Sequence, residues 1–200
     1  MHGNSFKNET DLDNLRQKIR AKRRAISKSQ RYNSEKKLLN QIEEIALVRK
    51  ARRLAIYLTI DGEPNLENAI REARQRGTLI FAPIICQNTL RFAELNEDSK
   101  LRTNKLGIQE PLYQIFIDPQ KLDVVLTPMV AFDSCGTRIG MGAGYYDRCF
   151  DFLAPKKLLR KPKIIGVGYE FQKVQKLERK AWDIPLWGAV TELGFYRFKT

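Results

Sequence analysis

Apolar residues recur along this chain with two alternating periods, and the alternation predicts its elements. From about Asp11, the residues Leu12, Leu15, Ile19, Ala25 and Ile26 fall near helical spacing. A second helix follows that Ser29 can cap, with Leu38, Leu39, Ile42, Ile45 and Ala46 on its inner face. Residues 53–58 are a compact apolar run of strand length, and 59–64 are the loop at its end. Asn65 can cap a helix over about 66–76, stopped by Gly77, and 79–84 is the next strand. Strand, helix, strand of this length is one crossover unit of a parallel sheet. Residues 88–118 read as short antiparallel strands and loops, including 90–95 and 106–111. Then 123–132 reads as a buried strand running into an extended segment, 145–153 as a short helix, and 163–169 as another strand; 189–192 and 194–198 close the chain as terminal strands. The pattern predicts an α/β fold of three layers, αβα, around a mainly parallel sheet with a few antiparallel strands.

Two hundred residues at 42% apolar content, with no repeat period, suit one domain with a full core. The expected division is a polar tail over 1–9, disordered or vector-derived, and a single domain over 10–200. No apolar run reaches spanning length and the start is polar rather than signal-like, so no membrane partner is expected. Cys86, Cys135 and Cys149 are an odd count without paired metal spacing, and read as reduced thiols of a cytoplasmic protein. The only histidine is His2. That excludes a Ser-His-Asp triad, a Cys-His pair and His-ligated zinc from the body of the chain, leaving carboxylates, Lys, Arg, Tyr, backbone donors or a hard oxygen-bound metal.

The formal charge of +13 lies largely in the first fifty residues and around 156–163. Nucleic acid is one reading of such a balance; an enzyme with anionic ligands would gain equally from a positive field. Aromatic residues do not interleave with the basic runs, and no recognition-helix or RNA-binding signature appears. Small anionic ligands are therefore favoured over nucleic acid. Taken alone, Arg16, Lys18, Arg20, Lys22, Arg23 and Arg24 read as the solvated face of the first helix.

The most informative stretch is 133–148, which joins an apolar run to a short helix. Gly140, Gly142 and Gly144 stand at every second residue, preceded by Arg138 and followed by Tyr145, Tyr146, Asp147 and Arg148. Strand, glycine-rich loop and helix is the layout of a phosphate site, because bare backbone lets N–H groups converge on an anion. Neither the Walker A spacing nor the dinucleotide fingerprint fits. On spacing alone, a tight turn with helix-packing glycines is as good a reading. Asp147 alone could be a first-turn carboxylate favoured by the helix dipole. Asp61, Gly62 and Glu63 end a strand, where open parallel sheets present ligands, although such a loop can be a plain turn.

The whole string, Asp-x-x-Gly-x-Arg-Ile-Gly-Met-Gly-x-Gly-Tyr-Tyr-Asp-Arg from Asp133 to Arg148, resembles the signature of the 5-formyltetrahydrofolate cyclo-ligases, also called methenyltetrahydrofolate synthetases. Further blocks resemble the family in its own order: the opening helix around Leu15 and Arg16, Leu58 with Asp61, Gly62 and Glu63, the Gly107 to Pro111 run, and the closing segment through Trp182, Asp183 and Thr191. Leu12, Met141, Ala143 and Glu178 depart from it, the first three replacing basic residues and the last a proline. The resemblance implies a Rossmann-like fold and conversion of 5-formyltetrahydrofolate and ATP to 5,10-methenyltetrahydrofolate, ADP and phosphate, with Mg2+. It implies that Arg16, Arg138, Ile139, Gly140, Met141, Gly142, Ala143, Gly144, Tyr145 and Tyr146 bind ATP, with Arg138, Tyr145 and Tyr146 catalytic. It places Leu58, Glu63, Met141, Gly142, Ala143, Gly144 and Tyr145 at the folate, and Asp147 and Asp183 at the metal. The expected partners are these small molecules, the folate in free or polyglutamylated form, on a monomer. The other reading is a non-catalytic nucleotide- or nucleic-acid-binding protein on the same fold.

Overall fold

The computed structural model describes residues 5–6, 9–112, 115–153 and 161–199. His2 and most of the basic stretch around 156–163 lie outside them. In chain order the elements are β1 (Ser5–Phe6), α1 (Glu9–Ala25), α2 (Lys28–Glu44), α3 (Ala46–Arg49), β2 (Arg53–Ala55), α4 (Glu67–Gln75), β3 (Leu79–Cys86) and β4 (Thr89–Glu94). There follow β5 (Leu101–Thr103), β6 (Gln109–Pro111), β7 (Phe116–Ile117), β8 (Val124–Pro128), β9 (Ala131–Phe132), β10 (Arg138–Ile139) and α5 (Tyr145–Cys149). The chain closes with β11 (Lys163–Val167), β12 (Lys176–Leu177), β13 (Gly188–Thr191) and β14 (Gly194–Arg197).

Eight strands form one sheet in the order β14-β13-β11-β8-β2-β3-β4-β7. The run from β13 to β3 is parallel, while β14, β4 and β7 add antiparallel at the edges. The parallel strands are apolar on both faces, because each successive side chain points to the opposite layer. Leu54, Val124, Ile165 and Val190 face α2 and α4, where Leu38, Ile42, Ala69 and Ala73 cover them. Their neighbours Ala55, Val125, Ile164 and Ala189 face the other way, against Phe132, Cys149, Phe150 and Leu186. This is the expected α/β architecture. Among the described residues no helix is long and apolar enough to cross a membrane.

Several expectations are corrected in detail. The cap of α2 is Ser27 rather than Ser29: the Ser27 hydroxyl accepts from the Gln30 amide at 3.2 Å, and the Gln30 side chain accepts from the Ser27 amide at 3.1 Å. A capping box needs serine and glutamine three residues apart, which only Ser27 has. Within the tail expected over 1–9, Ser5–Phe6 pair in parallel with Lys176–Leu177, and Glu9 already opens α1. The helix α1 lies over the small β9–β10 hairpin, through Leu12, Leu15 and Ile19 against Val130, Ala131 and Ile139.

That hairpin divides the stretch 133–148 that looks continuous in the sequence. Residues 133–137 are its turn, β10 carries Arg138, and only 140–144 is a glycine loop. The turn is organised by the buried carboxylate of Asp133. Its Oδ1 accepts from the amides of Cys135 and Thr137, both at 2.9 Å, and its Oδ2 from the amide of Leu177 at 3.0 Å. Gly136 has φ +77°, and a Cβ there would stand 2.9 Å from the Phe198 ring and 3.0 Å from the Leu186 carbonyl, so only glycine fits. Asp133→Ala is predicted to lower unfolding stability by about 3 kcal/mol, since three amides lose a charged acceptor. The urea midpoint would register this, and a midpoint equal to the parent's would contradict it.

Candidate functional site

Beyond the carboxyl ends of β2, β3 and β8, a cavity of about 1120 Å³ opens between α1, the acidic turn, the glycine loop, α5 and residues 178–184. Leu58, Glu63, Arg16, Arg138, all of 139–147 and Asp183 line it. The structure thus brings every sequence-predicted site residue to one place.

The acidic turn follows β2 and is held from behind. Asp61 and Gly62 both have positive φ, 54° and 75°. An aspartate in that conformation needs compensation, which comes from α1. The Asp61 carboxylate accepts from Arg20 Nε at 2.6 Å, Arg23 Nη2 at 3.0 Å and Arg24 Nε at 2.5 Å. Burial pushes this carboxyl up, but the hydrogen bonds from Arg20, Arg24 and Arg23 outweigh it and hold it below the usual range. From α2, Arg31 Nη1 donates to the Gly62 carbonyl at 2.9 Å and to the Tyr169 hydroxyl at 3.2 Å. Glu63 is buried, with the Ile60 amide donating to its Oε2 at 3.2 Å. Burial pushes the Glu63 carboxyl up to about 7, against the opposing charge of Arg23.

Across the cavity, the glycine loop is clamped at both ends. Arg16 Nε donates to the Gly140 carbonyl at 3.1 Å, and Arg148 Nη2 to the Ala143 carbonyl at 2.6 Å. Gly144 has φ +64°, and a Cβ there would stand 2.9 Å from the Arg148 guanidinium. Arg16 Nη1 pairs with Glu9 at 3.0 Å and Asp13 at 2.7 Å, which orients the guanidinium along α1.

Arg138 leaves β10 almost fully enclosed and donates from Nη2 to Asp147 Oδ1 at 2.8 Å; its Nε has no hydrogen-bond partner among the described residues. Asp147 Oδ1 also accepts from the Ile184 amide at 3.1 Å. Asp183 Oδ2 accepts from the Lys180 amide at 2.8 Å. Burial raises the Asp183 carboxyl, and the charge of Asp147 raises it further, so the two carboxylates sense each other. Among the described residues no group of three or more His, Cys, Asp or Glu side chains gathers to hold a metal. Burial also raises the phenols of Tyr57 and Tyr146, keeping both as neutral hydroxyls at the cavity wall.

Three contributors escaped the sequence reading. Arg23, read as part of a solvated face, is completely buried. Its signal was present: Arg16, Arg20 and Arg23 recur at i, i+4 and i+7, one side of a helix. Arg148 clamps the glycine loop. Glu110, in a block that had suggested no chemistry, lines the cavity and accepts from the Ile85 amide at 3.0 Å and the Asn104 side chain at 2.7 Å.

A mainly parallel α/β sheet that gathers a glycine loop, a carboxylate pair and an acidic turn around one cavity has the architecture of a small-molecule site at its strand ends. Residues 8–192 match the profile of the 5-formyltetrahydrofolate cyclo-ligase family, and the chain belongs to that family. The 5-formyltetrahydrofolate cyclo-ligase of Escherichia coli K12 is 32% identical over 178 residues, covering 86% of this chain and 96% of its own. That of Haemophilus influenzae is 28% identical over 177 residues, covering 86% and 92%. The solution structure of Aquifex aeolicus 5,10-methenyltetrahydrofolate synthetase superposes with a TM-score of 0.80 at 30% identity, covering 94% of this chain and 93% of that one.

The raised carboxyl of Glu63 yields a stability prediction. A carboxyl with its midpoint near 7 in the fold and 4.5 when unfolded favours folding below about 4.5, and that contribution is lost as pH rises to about 7. Glu63→Gln should therefore remove part of the decline in melting temperature between pH 5 and pH 8. Parallel melting curves for parent and variant across that range would argue against the buried, perturbed carboxyl.

Proposed function

We propose that this chain converts 5-formyltetrahydrofolate and ATP to 5,10-methenyltetrahydrofolate, ADP and phosphate. The observation that carries the reading is that Glu63 and the Arg138–Asp147 pair, flanked by the glycine loop, face one cavity large enough for both substrates. A pterin edge offers an amine and a ring N–H side by side, and the two oxygens of Glu63 complement that pair. Leu58 and Tyr145 supply apolar contact for the same substrate. The loop amides and Arg16 hold the nucleotide phosphates, under a net charge of +13 that favours anionic ligands.

The chemical difficulty is that a formyl oxygen is a poor leaving group. That oxygen attacks the γ-phosphorus of ATP, and the bond to ADP breaks. N10 of the folate then attacks the activated carbon and loses its proton. The C–O bond breaks, and the former formyl oxygen leaves within phosphate. No protein nucleophile is required, so the work of the chain is positioning and charge stabilisation. Arg138 stabilises the negative charge moving with the phosphoryl group, while Tyr145 and Tyr146 set the folate against it. Both Asp147 and Asp183 suit a hard cation such as Mg2+, since each has one oxygen engaged with the protein and the two charges already interact. When bound, such an ion neutralises phosphate charge and orients the γ-phosphoryl group.

Protein supplied with 5-formyltetrahydrofolate and MgATP should form the methenyl chromophore, whose conjugated amidinium absorbs in the near ultraviolet. Omitting ATP or chelating magnesium should abolish the signal. Arg138→Ala should cost on the order of 10²-fold in kcat, by analogy with a lost oxyanion donor. Glu63→Gln should act mainly through KM. ATP binding without methenyl formation by the parent protein would reject the enzymatic reading.

A further inference from the structure

We infer that Arg23 is a positioning residue: from inside the wall behind the acidic turn, it fixes that turn and attracts the Glu63 carboxylate while leaving its oxygens open to the donors of the ligand. The identity of that ligand rests on the functional reading above; the role of Arg23 rests on its own geometry.

A guanidinium removed from water is destabilising unless its charge is paired and its donors are used. Arg23 is completely buried, yet only partly paired. Its Nη2 donates to Asp61 at 3.0 Å, while Nε and Nη1 have no hydrogen-bond partner among the described residues. Nη1 stands 3.7 Å from Glu63 Oε1, within ion-pair range but beyond a hydrogen bond. An arginine serving only to bury an ion pair would sit on Glu63 with parallel N–H···O bonds. Arg23 instead attracts the carboxylate without occupying its lone pairs. Ile60 N takes part of Oε2, and the remaining acceptor capacity belongs to the cavity that Glu63 lines.

The backbone of Arg23 takes part as well. Its carbonyl accepts from Arg31 Nη2 at 3.1 Å, while Nη1 of the same arginine holds the Gly62 carbonyl. A Cβ on Gly62 would come within 3.3 Å of the Arg23 carbonyl, so helix and turn are seated directly on one another. The other ionisable groups that bear on Glu63 are Asp61 in its own turn, Tyr57 after β2 and Tyr146 on α5. Asp61 repels its charge and the two phenols are neutral, so Arg23 is the cation that offsets burial.

The decisive comparison is among the parent, Arg23→Met, Arg23→Lys and Glu63→Gln. The first readout is the ¹³C-carboxyl resonance missing from Glu63→Gln, titrated from pH 5 to pH 9. The second is KM and kcat for methenyl formation over the same range. Arg23→Met should raise the resonance midpoint. For a midpoint raised from about 7 by about one pH unit, KM for 5-formyltetrahydrofolate rises about fivefold at pH 7 and about ninefold at pH 6, and is unchanged at pH 9. Its kcat should stay within about twofold of the parent, because the phosphate side is untouched. Arg23→Lys keeps the charge and should fall between the two; it decides the matter alone if Arg23→Met does not fold. An unmoved resonance, or a KM increase equal at pH 6 and pH 9, overturns the assignment and leaves a purely structural arginine. A parent protein that forms no methenyl product sinks the substrate reading, while the resonance still decides the role of Arg23.

Discussion

Three arginines of one helix, Arg20, Arg23 and Arg24, converge on the carboxylate of Asp61, and the placement of the site follows from that convergence. It fixes α1 against the end of β2, although α1 otherwise packs on the β9–β10 hairpin. With α1 fixed, Arg16 reaches the glycine loop, and Glu9 reaches Lys180 at 3.2 Å on the far rim. An exposed ion pair contributes little, but here three donors satisfy one largely enclosed acceptor whose backbone conformation is itself unfavourable. The turn has this shape because α1 holds it.

The cavity is asymmetric in its electrostatics. On one side an acidic turn presents Glu63, whose carboxyl titrates close to neutrality. On the other stand bare glycine backbone and the Arg138 guanidinium, with the aspartate pair beside them. The polar groups of each half are oriented by the protein rather than by water: Asp61 by arginines, the glycine loop by Arg16 and Arg148, and Asp147 by Arg138 and the Ile184 amide. Preorganisation of this kind suits a reaction in which charge moves between two bound molecules and no side chain becomes covalently attached.

Much of this was legible before the fold was known. The parallel sheet was readable because its strands are continuous apolar runs separated by helices or loops of crossover length. Leu58, Glu63, Arg138, Asp147 and Asp183 stood out because the family signature keeps loop residues in fixed order. The exceptions share a physical cause. Arg23 looks like any other member of a basic helix, since burial of a charge is decided by a partner thirty-eight residues away. The hairpin inside 133–148 was hidden because its strands have two residues each and depend on Asp133 rather than on periodicity. Ser27 escaped notice as the cap because propensity does not separate it from Ser29; the spacing to Gln30 does.

The ion pair between Lys180 and Glu9 spans 171 positions, and the hydrogen bond from Arg16 to Gly140 spans 124. During synthesis, the first helix therefore leaves the ribosome long before the groups it is built to meet. The local pairing of β3 with β4 and the packing of α2 against α4 can form early, whereas the rim of the cavity must await the final fifth of the chain. Contacts of such separation are slow to close. The arginines of α1 can meet Asp61 early, but Glu9 has no Lys180, and the cavity no complete rim, until 178–184 emerges. A complete rim is in this sense a report that synthesis has passed residue 184.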